Sequence, residues 1–482
     1  MSKKKIIYDK LIEPSIKDAR KRRREETKII DFILDPKYLN LGVGKKYLLK
    51  TYGCQGNLAD SEKIAGILEL MGFEKTDNEL EATFVLFNTC AIRENAEERV
   101  FGELGRLQKF KKQNEEMIIG ICGCMPQEEK TVNAIKQKYR QVDIIFGTHN
   151  ISSLPEFLYD KMVEEKKTIE VLSIEGNIYE NIPVVRDHPK KAWVNIMYGC
   201  DEFCTYCIVP YTRGKERSRR PEAILEEVKQ LAKDGYIEVT LLGQNVNAYG
   251  NDFTDIKYTF ADLLKDLHKT DISRIRYTTS HPRDLDDATI EAMALGGNIM
   301  PHLHLPVQSG SNTVLKKMNR KYTKESYMEK INKLKELIPD ITITTDIIVA
   351  FPGETLEDFN MTVDLVKEVG YSGAFTFIYS RREGTPASNY PNPLTEEEKH
   401  ERLNQLNEVV NEYSLKAHQK FEGEIVEVLV EGVSKNNSNM VSGYTKHNML
   451  VNFEGDSSII GSLVNVKVIK AYSWHLLGEI VK

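Results

Sequence analysis

The sequence lacks any long apolar run. No unbroken stretch approaches the roughly 18–20 apolar residues that a helix needs to cross a bilayer, and the first ten residues are basic without the apolar segment of a secretion signal. Cysteine is scarce as well: 482 residues contain seven, an odd number. We therefore expect a cytoplasmic protein without a membrane partner. In that compartment structural disulfides are rare, so clustered cysteines indicate metal binding or catalysis.

The charge balance gives little indication of a nucleic-acid partner, because the formal net charge is −6 at pH 7. The balance is uneven, since residues 1–30 contain eleven Lys and Arg but only five Asp and Glu. Their densest part is the basic run Arg20–Arg24, which is either a solvated arm or a contact for phosphates. We interpret residues 1–44 as a polar, basic N-terminal extension.

The rest of the chain predicts an α/β multidomain protein. Residues 45–163 alternate strand and helix patterns, which predicts a doubly wound parallel sheet. Residues 186–416 repeat the strand–helix unit about six times, which predicts an open, partial β/α barrel. Residues 418–482 contain short β-rich runs separated by turn residues, which predicts a small all-β barrel of the size that binds oligonucleotides.

Three cysteines form the most specific motif, CDEFCTYC, directly after the first strand of the predicted β/α barrel. Active sites of such barrels lie at the carboxyl ends of the strands. A structural zinc site would need a fourth ligand, and no further Cys or His is near in sequence. An iron–sulfur cube held by Cys200, Cys204 and Cys207 would leave one iron open for a substrate. We favour the cluster over zinc.

A second set of cysteines is dispersed along the chain: Cys54, Cys90 and Cys124 each follow a predicted strand of the N-terminal region. Because the carboxyl ends of parallel strands share one edge, these thiols should converge. We favour a second cluster over three buried structural cysteines, which are common. Cys122, two residues before Cys124, is a spare thiol or a packing residue.

The motifs resemble those of the radical S-adenosylmethionine methylthiotransferase family. The resemblance covers about 45–482 in the order methylthiotransferase domain, radical core and RNA-binding TRAM domain. The segments TYGCQGN, NTCAIRENAEERV and CGCMPQEE are most similar to the branch that acts on isopentenylated adenosine in tRNA, although that branch usually has Met at the position of Gly56. The branches that act on threonylcarbamoyladenosine or on a ribosomal protein differ in these segments.

This resemblance implies two [4Fe-4S] clusters and S-adenosyl-L-methionine as cofactors. The cluster at Cys200, Cys204 and Cys207 would reduce S-adenosylmethionine to give a radical, which removes hydrogen from carbon 2 of the adenine. The second cluster would supply the methylated sulfur, and two S-adenosylmethionine molecules would be consumed per turnover. Cofactors carry such radical chemistry because no side-chain acid or base can activate this C–H bond.

Further residues are expected at the cofactor by resemblance. Tyr206 directly precedes the third cysteine and matches the family's aromatic position beside the adenine of the cofactor. Gly243, Gln244, Asn245, Gln308 and Ser309 follow strands at the same mouth of the barrel. The expected partners are a tRNA anticodon loop that carries isopentenyladenosine and a one-electron donor such as flavodoxin or ferredoxin, and we expect a monomer. The basic stretch from Arg213 to Arg220 and the C-terminal barrel are candidates for phosphate contacts.

Three alternatives stay open from the sequence. The first is a methylthiotransferase that acts on threonylcarbamoyladenosine tRNA or on a ribosomal protein. The second is a non-enzymatic iron–sulfur or tRNA-binding protein. The third is a zinc-binding protein.

Overall fold

The computed structural model describes residues 7–11, 27–91, 94–171, 177–435 and 437–481. The chain forms two compact units. The first consists of Met1–Asp187, Met197–Asp201 and Ile208–Arg219, and the second of His188–Ile196, Glu202–Cys207 and Arg220–Lys482. The basic run Arg20–Arg24 lies outside the described residues.

A parallel sheet forms the centre of the first unit, and its described part has seven strands. In spatial order these are Ile7–Leu11, Lys167–Val171, Ile144–Phe146, Ile118–Gly123, Phe84–Thr89, Lys46–Tyr52 and Glu74–Lys75. The edge strand Ile7–Leu11 comes from the segment that the sequence indicates as a polar extension. Its pairing partner lies far along the chain, so local pattern gives no sign of it.

Helices cover both faces of this sheet. Phe84 and Leu86 pack on one face with helices Gln55–Leu70 and Leu154–Met162, while Val85 and Phe87 pack on the other. Successive side chains of a strand point to opposite faces, and a strand buried on both faces is apolar throughout. This arrangement confirms the predicted doubly wound sheet.

The remaining elements of the first unit are short or peripheral. The other helices are Glu94–Gln113, Glu129–Lys138 and Val209–Thr212, with 3₁₀ turns at Pro36–Tyr38, Met125–Gln127 and Ile151–Ser153. Two small ribbons pair Ile29–Asp31 with Ile178–Glu180 and Met197–Tyr198 with Arg217–Ser218.

Six strands in the second unit form two parallel three-stranded sheets. They are Lys191–Asn195, Glu238–Leu242 and Arg274–Thr278, followed by His302–His304, Thr342–Val349 and Gly373–Ile378. Isolated parallel bridges join Ile275 to Ile299 and Gln308 to Ile347. This confirms the predicted open β/α barrel.

Helices alternate with these strands. They are Pro221–Lys233, Phe260–Leu267, Asp287–Met293, Asn312–Lys317, Lys324–Leu337, Leu356–Val369 and Glu396–Gln419, with 3₁₀ turns at Val246–Ala248 and Pro386–Asn389. Several begin at a threonine whose hydroxyl accepts from the backbone N–H three residues later, as Thr355 does from Asp358. Such reciprocal caps satisfy donors that the first helical turn leaves unpaired.

The C-terminal part of the second unit is a closed five-stranded barrel, which confirms the predicted all-β barrel. Its strands are Ile425–Ser434, Asn437–Thr445, Leu450–Glu454, Leu463–Ala471 and Leu476–Ile480, with a 3₁₀ turn at Ser457–Ile459. The buried Arg274 and Arg276 donate to the carbonyl oxygens of Tyr444 and Thr445, which fixes the barrel to the preceding sheet. None of the helices in the described parts of the chain is long and apolar enough to span a membrane.

Candidate iron–sulfur sites

The three dispersed cysteines of the first unit meet at one edge of the parallel sheet. Cys54 is the residue before helix Gln55–Leu70, and Cys90 and Cys124 directly follow their strands. The Cys124 N–H donates to the carbonyl oxygen of Thr89 at 2.8 Å, so the last two loops run side by side. Cys90 and Cys124 are buried and Cys54 is half-buried.

The thiols are close enough to change one another's pKa. A hydrogen bond with Cys90, helped by the nearby Arg213 guanidinium, lowers the pKa of Cys54 from 9.0 to about 5 despite its burial. Burial raises the pKa of Cys124, and the same guanidinium opposes that rise. A thiolate is the form of cysteine that binds metal. The site therefore holds one readily ionised thiol beside two buried ones.

Arg213 is the residue of this site that sequence reasoning missed. Its NH1 lies 2.8 Å from Asp60 Oδ2, and both side chains are buried. The guanidinium also hydrogen-bonds Cys124. A buried cation of this kind offsets the negative charge of several thiolates in a low-dielectric site. Its place in a run of basic residues favours a surface role, so the sequence gives no signal for this contact.

Backbone geometry explains why the loops approach so closely. Gly123 has a φ of +99°, and a Cβ there would lie 2.4 Å from the carbonyl oxygen of Thr89. Only glycine adopts this conformation in this space without strain. Asn57 and Asn88 then join the loops, because the Asn57 amide donates to Asn88 Oδ1 at 3.0 Å and the Asn88 amide donates to the Asn57 carbonyl at 2.8 Å.

Cys122 lies in the core of the sheet, close to this site. It packs among the apolar side chains of one sheet face, with Ile118 and Leu86 in the same cluster. Burial raises the pKa of its thiol well above the ordinary value. Asp60, Cys124 and Arg213 also act on this thiol. Its assignment as a packing residue rests on its place among apolar side chains and stays a prediction.

Of the motif cysteines, Cys200 lies in the first unit and Cys204 and Cys207 lie in the second. In the first unit, the Cys200 N–H donates to the Gly214 carbonyl at 3.1 Å. In the second unit, Cys204 is buried and accepts from Arg320 NH1 at 3.3 Å. Cys207 is half-buried. Arg320 is a second basic partner that the sequence motif does not reveal.

Contacts inside the second unit hold the loop that carries Cys204. Phe203 has a left-handed backbone with a φ of +48°. Its carbonyl accepts from the Asn319 amide at 3.0 Å, and the Thr205 N–H donates to the Met318 carbonyl at 3.0 Å. The loop is therefore fastened to the turn after helix Asn312–Lys317.

The residues predicted to bind the cofactor all lie in the second unit. Tyr206 packs edge-on against Phe351, with ring centroids 6.4 Å apart. Gly243 and Gln244 follow strand Glu238–Leu242, and Asn245 donates to Asp284 Oδ2 at 2.6 Å. The Asn245 Oδ1 is buried without a protein partner, which leaves an acceptor for a ligand.

Gln308 and Ser309 follow strand His302–His304 and are buried. Gln308 has a φ of +69°, and its N–H donates to the Asp346 carbonyl at 2.9 Å. The Ser309 hydroxyl lies 3.3 Å from that of Thr362. Ser309 is thus engaged inside the protein, and a direct role of these six residues at the cofactor stays a prediction.

The basic stretch after the motif is mostly internal. Arg213, Arg217 and Arg219 are all buried. Arg219 forms a double hydrogen bond with Glu180, at 2.6 and 2.8 Å. Arg217 NH2 donates to the Arg213 carbonyl at 3.0 Å. The prediction of phosphate contacts is wrong for these three, because their guanidinium groups are already engaged inside the first unit.

The three cysteines of the first unit form a donor set whose chemistry fits an iron–sulfur cluster, and one of them, Cys124, hydrogen-bonds the buried Arg213. In the second unit, Cys204 accepts from the buried Arg320. Among the residues that the structure describes, no three or more His, Cys, Asp or Glu side chains are arranged around a single ion. In a cube each thiolate binds a different iron, so its ligands stand further apart than those of one ion.

Comparison with known proteins identifies the parts of the chain. The model of the radical SAM superfamily matches residues 194–366, that of uncharacterized protein family UPF0004 matches 46–147, and that of the TRAM domain matches 419–481. Among solved structures, the radical S-adenosylmethionine methyltransferase TsrM from Kitasatospora setae aligns with a TM-score of 0.54 at 14% identity, covering 71% of this chain and 75% of that one. That likeness supports the fold.

Curated relatives match nearly the whole chain. It is 57% identical to the tRNA-2-methylthio-N(6)-dimethylallyladenosine synthase of Bacillus cytotoxicus, covering 97% of this chain and 92% of the relative. It is 54% identical to the enzyme of that name from Geobacillus kaustophilus, covering 99% and 90%. The chain therefore belongs to the tRNA-2-methylthio-N(6)-dimethylallyladenosine synthase family of radical S-adenosylmethionine enzymes.

Proposed function

We propose that this chain methylthiolates carbon 2 of N(6)-isopentenyladenosine next to the anticodon in tRNA, with two S-adenosylmethionine molecules consumed per turnover. The observation that carries the proposal is the convergence of Cys54, Cys90 and Cys124 beside Arg213 in the first unit. The motif cysteines alone account for radical generation. A second set of thiols is needed for a reaction that also inserts sulfur.

The roles of the cysteines follow from their surroundings. Cys200, Cys204 and Cys207 would hold the catalytic [4Fe-4S] cluster, which supplies the electron for cleavage of S-adenosylmethionine when it is bound. Cys54, Cys90 and Cys124 would hold the second cluster. Arg213 and Arg320 reduce the electrostatic cost of keeping thiolates in buried sites, since an opposite charge nearby favours the ionised form.

The cofactor side of the barrel would be built from the loops that follow its strands. Gly243, Gln244 and Asn245 present backbone and amide groups. The Asn245 Oδ1 would accept a hydrogen bond from the cofactor, since it has no partner within the protein. Tyr206 would contact the adenine through its half-buried ring, while Gln308 and Ser309 shape the adjacent turn. Polar groups at the carboxyl ends of barrel strands are the usual positions for ligand contacts.

The partners follow from the same proposal. The target base must leave its stack to be reached, which is easiest in a single-stranded loop such as the anticodon loop. The TRAM domain would contact that RNA. We further propose that a one-electron donor such as flavodoxin or ferredoxin reduces the catalytic cluster, and that the chain acts as a cytoplasmic monomer. The domain limits 45–163, 186–416 and 418–482 are part of this proposal.

The decisive experiment is a nucleoside profile of tRNA from cells that lack the chain. The 2-methylthio group should disappear from isopentenyladenosine and return when the gene is restored. Persistence of the methylthiolated nucleoside would refute the proposal. Loss from threonylcarbamoyladenosine or from a ribosomal protein instead would identify one of the alternative substrates.

Matched cysteine variants separate the two sites. Cys204→Ala should abolish both 5′-deoxyadenosine formation and product. Cys90→Ala should retain 5′-deoxyadenosine formation and lose methylthiolation. Cys122→Ala is the control from the same sheet and should retain both, because its thiol packs in the apolar core. Full methylthiolation by the Cys90 variant would contradict the second cluster.

A further inference from the structure

Two phenylalanines in the second unit are unusually exposed for residues in the middle of a strand. Phe375 and Phe377, in strand Gly373–Ile378, are 54% and 52% exposed. The other face of the strand is packed: Ala374 is buried, and the Thr376 hydroxyl donates to Asn407 of helix Glu396–Gln419. The two rings thus lie on the face of the sheet opposite this helix.

The neighbouring strand completes this aromatic face, which we define as Phe375, Phe377, Asp346, Ile348 and His304. The parallel register places Asp346 beside Phe375 and Ile348 beside Phe377. The His304 ring meets that of Phe375 edge-on at 6.1 Å. His304 Nε2 lies 3.5 Å from Asp346 Oδ2. The face therefore offers two exposed rings next to one carboxylate.

The aromatic face and the residue before Cys207 border the same buried cluster. Ile348 and Tyr206 pack against the same small cluster, which includes Phe351 and Met318. Tyr206 directly precedes Cys207 in sequence. A ligand on the two phenylalanines would therefore lie along the same wall as the residues expected at the cofactor.

We propose that the aromatic face binds the isopentenylated adenine of the tRNA, with the rings of Phe375 and Phe377 contacting the base and its prenyl chain. This inference rests on the proposed function. A base taken out of its stack needs a new flat partner, and aromatic side chains supply one. A prenyl chain is apolar and gains from burial against exposed rings.

The charge of the face selects between the rival nucleosides. The threonylcarbamoyl group carries a carboxylate, and Asp346 would repel it next to Phe375. The prenyl group carries no charge and meets no such penalty. Discrimination in binding sites commonly combines an attractive surface with a repulsive group of this kind.

The test measures RNA binding by the anaerobically reconstituted full chain. The probes are anticodon stem–loops that carry isopentenyladenosine, adenosine or threonylcarbamoyladenosine. Phe375→Ala and Phe377→Ala should each weaken binding of the isopentenyl RNA by roughly tenfold or more, with a smaller loss for the adenosine RNA. Phe375→Leu should recover part of the preference for the prenyl group. The exposed Leu337, at the end of helix Lys324–Leu337, provides Leu337→Ala as a control that should bind like the parent.

Two results would overturn the inference. The first is equal binding of the isopentenyl RNA by the parent and both alanine variants. The second is a parallel loss of S-adenosylmethionine binding, measured by equilibrium dialysis without RNA, which would assign the rings to the cofactor. If the parent makes 2-methylthio-isopentenyladenosine while either result is obtained, the inference alone fails. If the parent makes no such product, the proposed function fails.

Discussion

Glu354, in the loop that follows strand Thr342–Val349, should make the stability of the second unit depend on pH. Its Oε2 accepts from the Ala350 N–H at 2.6 Å and from Arg402 NH1 at 2.8 Å. Burial nevertheless raises the pKa of the Glu354 carboxyl from 4.5 to about 7, because Arg402 and the backbone donor only partly offset desolvation. The folded chain thus keeps a proton that the unfolded chain has released.

The sign and size of the effect follow from that difference. Between pH 4.5 and about 7 the folded state binds more protons at Glu354 than the unfolded state, so stability falls as pH rises. The full loss is about 3 kcal/mol and is complete above the folded pKa. Between roughly pH 5.5 and pH 8 about 2 kcal/mol should be lost, which corresponds to a few degrees in the melting temperature.

The assay compares the parent with Glu354→Gln across that range, using thermal unfolding of the chain without clusters. Glutamine does not titrate, so the difference between the two melting temperatures isolates Glu354. The exposed neighbour Glu357 supplies Glu357→Gln as a control that should follow the parent. A difference that stays constant with pH would refute the reasoning and show that Arg402 keeps the carboxylate ionised throughout.

Three further changes test other parts of the structure. Glu238→Gln leaves the buried Arg276 and the half-buried Lys191 without their carboxylate partner. It should lower the unfolding free energy by about 3 kcal/mol in denaturant titration, and an unchanged midpoint would contradict this. Gly66→Ala places a Cβ 2.0 Å from the Pro183 carbonyl oxygen and should lower the melting temperature. The control Gly105→Ala lies in open space on another helix and should raise the melting temperature slightly. Equal effects of the two substitutions would exclude the clash. Arg213→Gln should reduce the iron retained after reconstitution by up to half, by colorimetric assay, and full retention would show that the guanidinium is dispensable for cluster binding.

Much of the fold could be predicted because its periodicities are strong. The six strands of the barrel are short apolar runs between helical patterns, and their number and parallel direction follow from that alternation. The strand Ile7–Leu11 could not be found in this way. It pairs with Lys167–Val171, which comes much later in the sequence, and its flanking residues are polar and charged. Long-range pairing of an edge strand leaves little local trace.

The functional residues, too, could be predicted only in part. The meeting of Cys54, Cys90 and Cys124 could be predicted, because each follows a strand and the carboxyl ends of parallel strands share an edge. The exposed rings of Phe375 and Phe377 could not. Alternation along a strand shows that two faces differ but does not tell which one is covered by helices and which one lines the interior of an open barrel.

The basic residues after the cysteine motif show most clearly what tertiary structure adds. In sequence, Arg213, Arg217 and Arg219 form a charged run of the kind that contacts phosphates. In the structure they belong to the first unit, where Arg213 contacts Asp60 and Cys124 and Arg219 binds Glu180. All three guanidinium groups are buried, so they are not exposed to contact a phosphate and to release counterions from RNA. The RNA affinity of this chain must therefore depend on other basic groups, and the salt dependence of binding should be insensitive to Arg219, whose loss would instead be seen as a loss of stability.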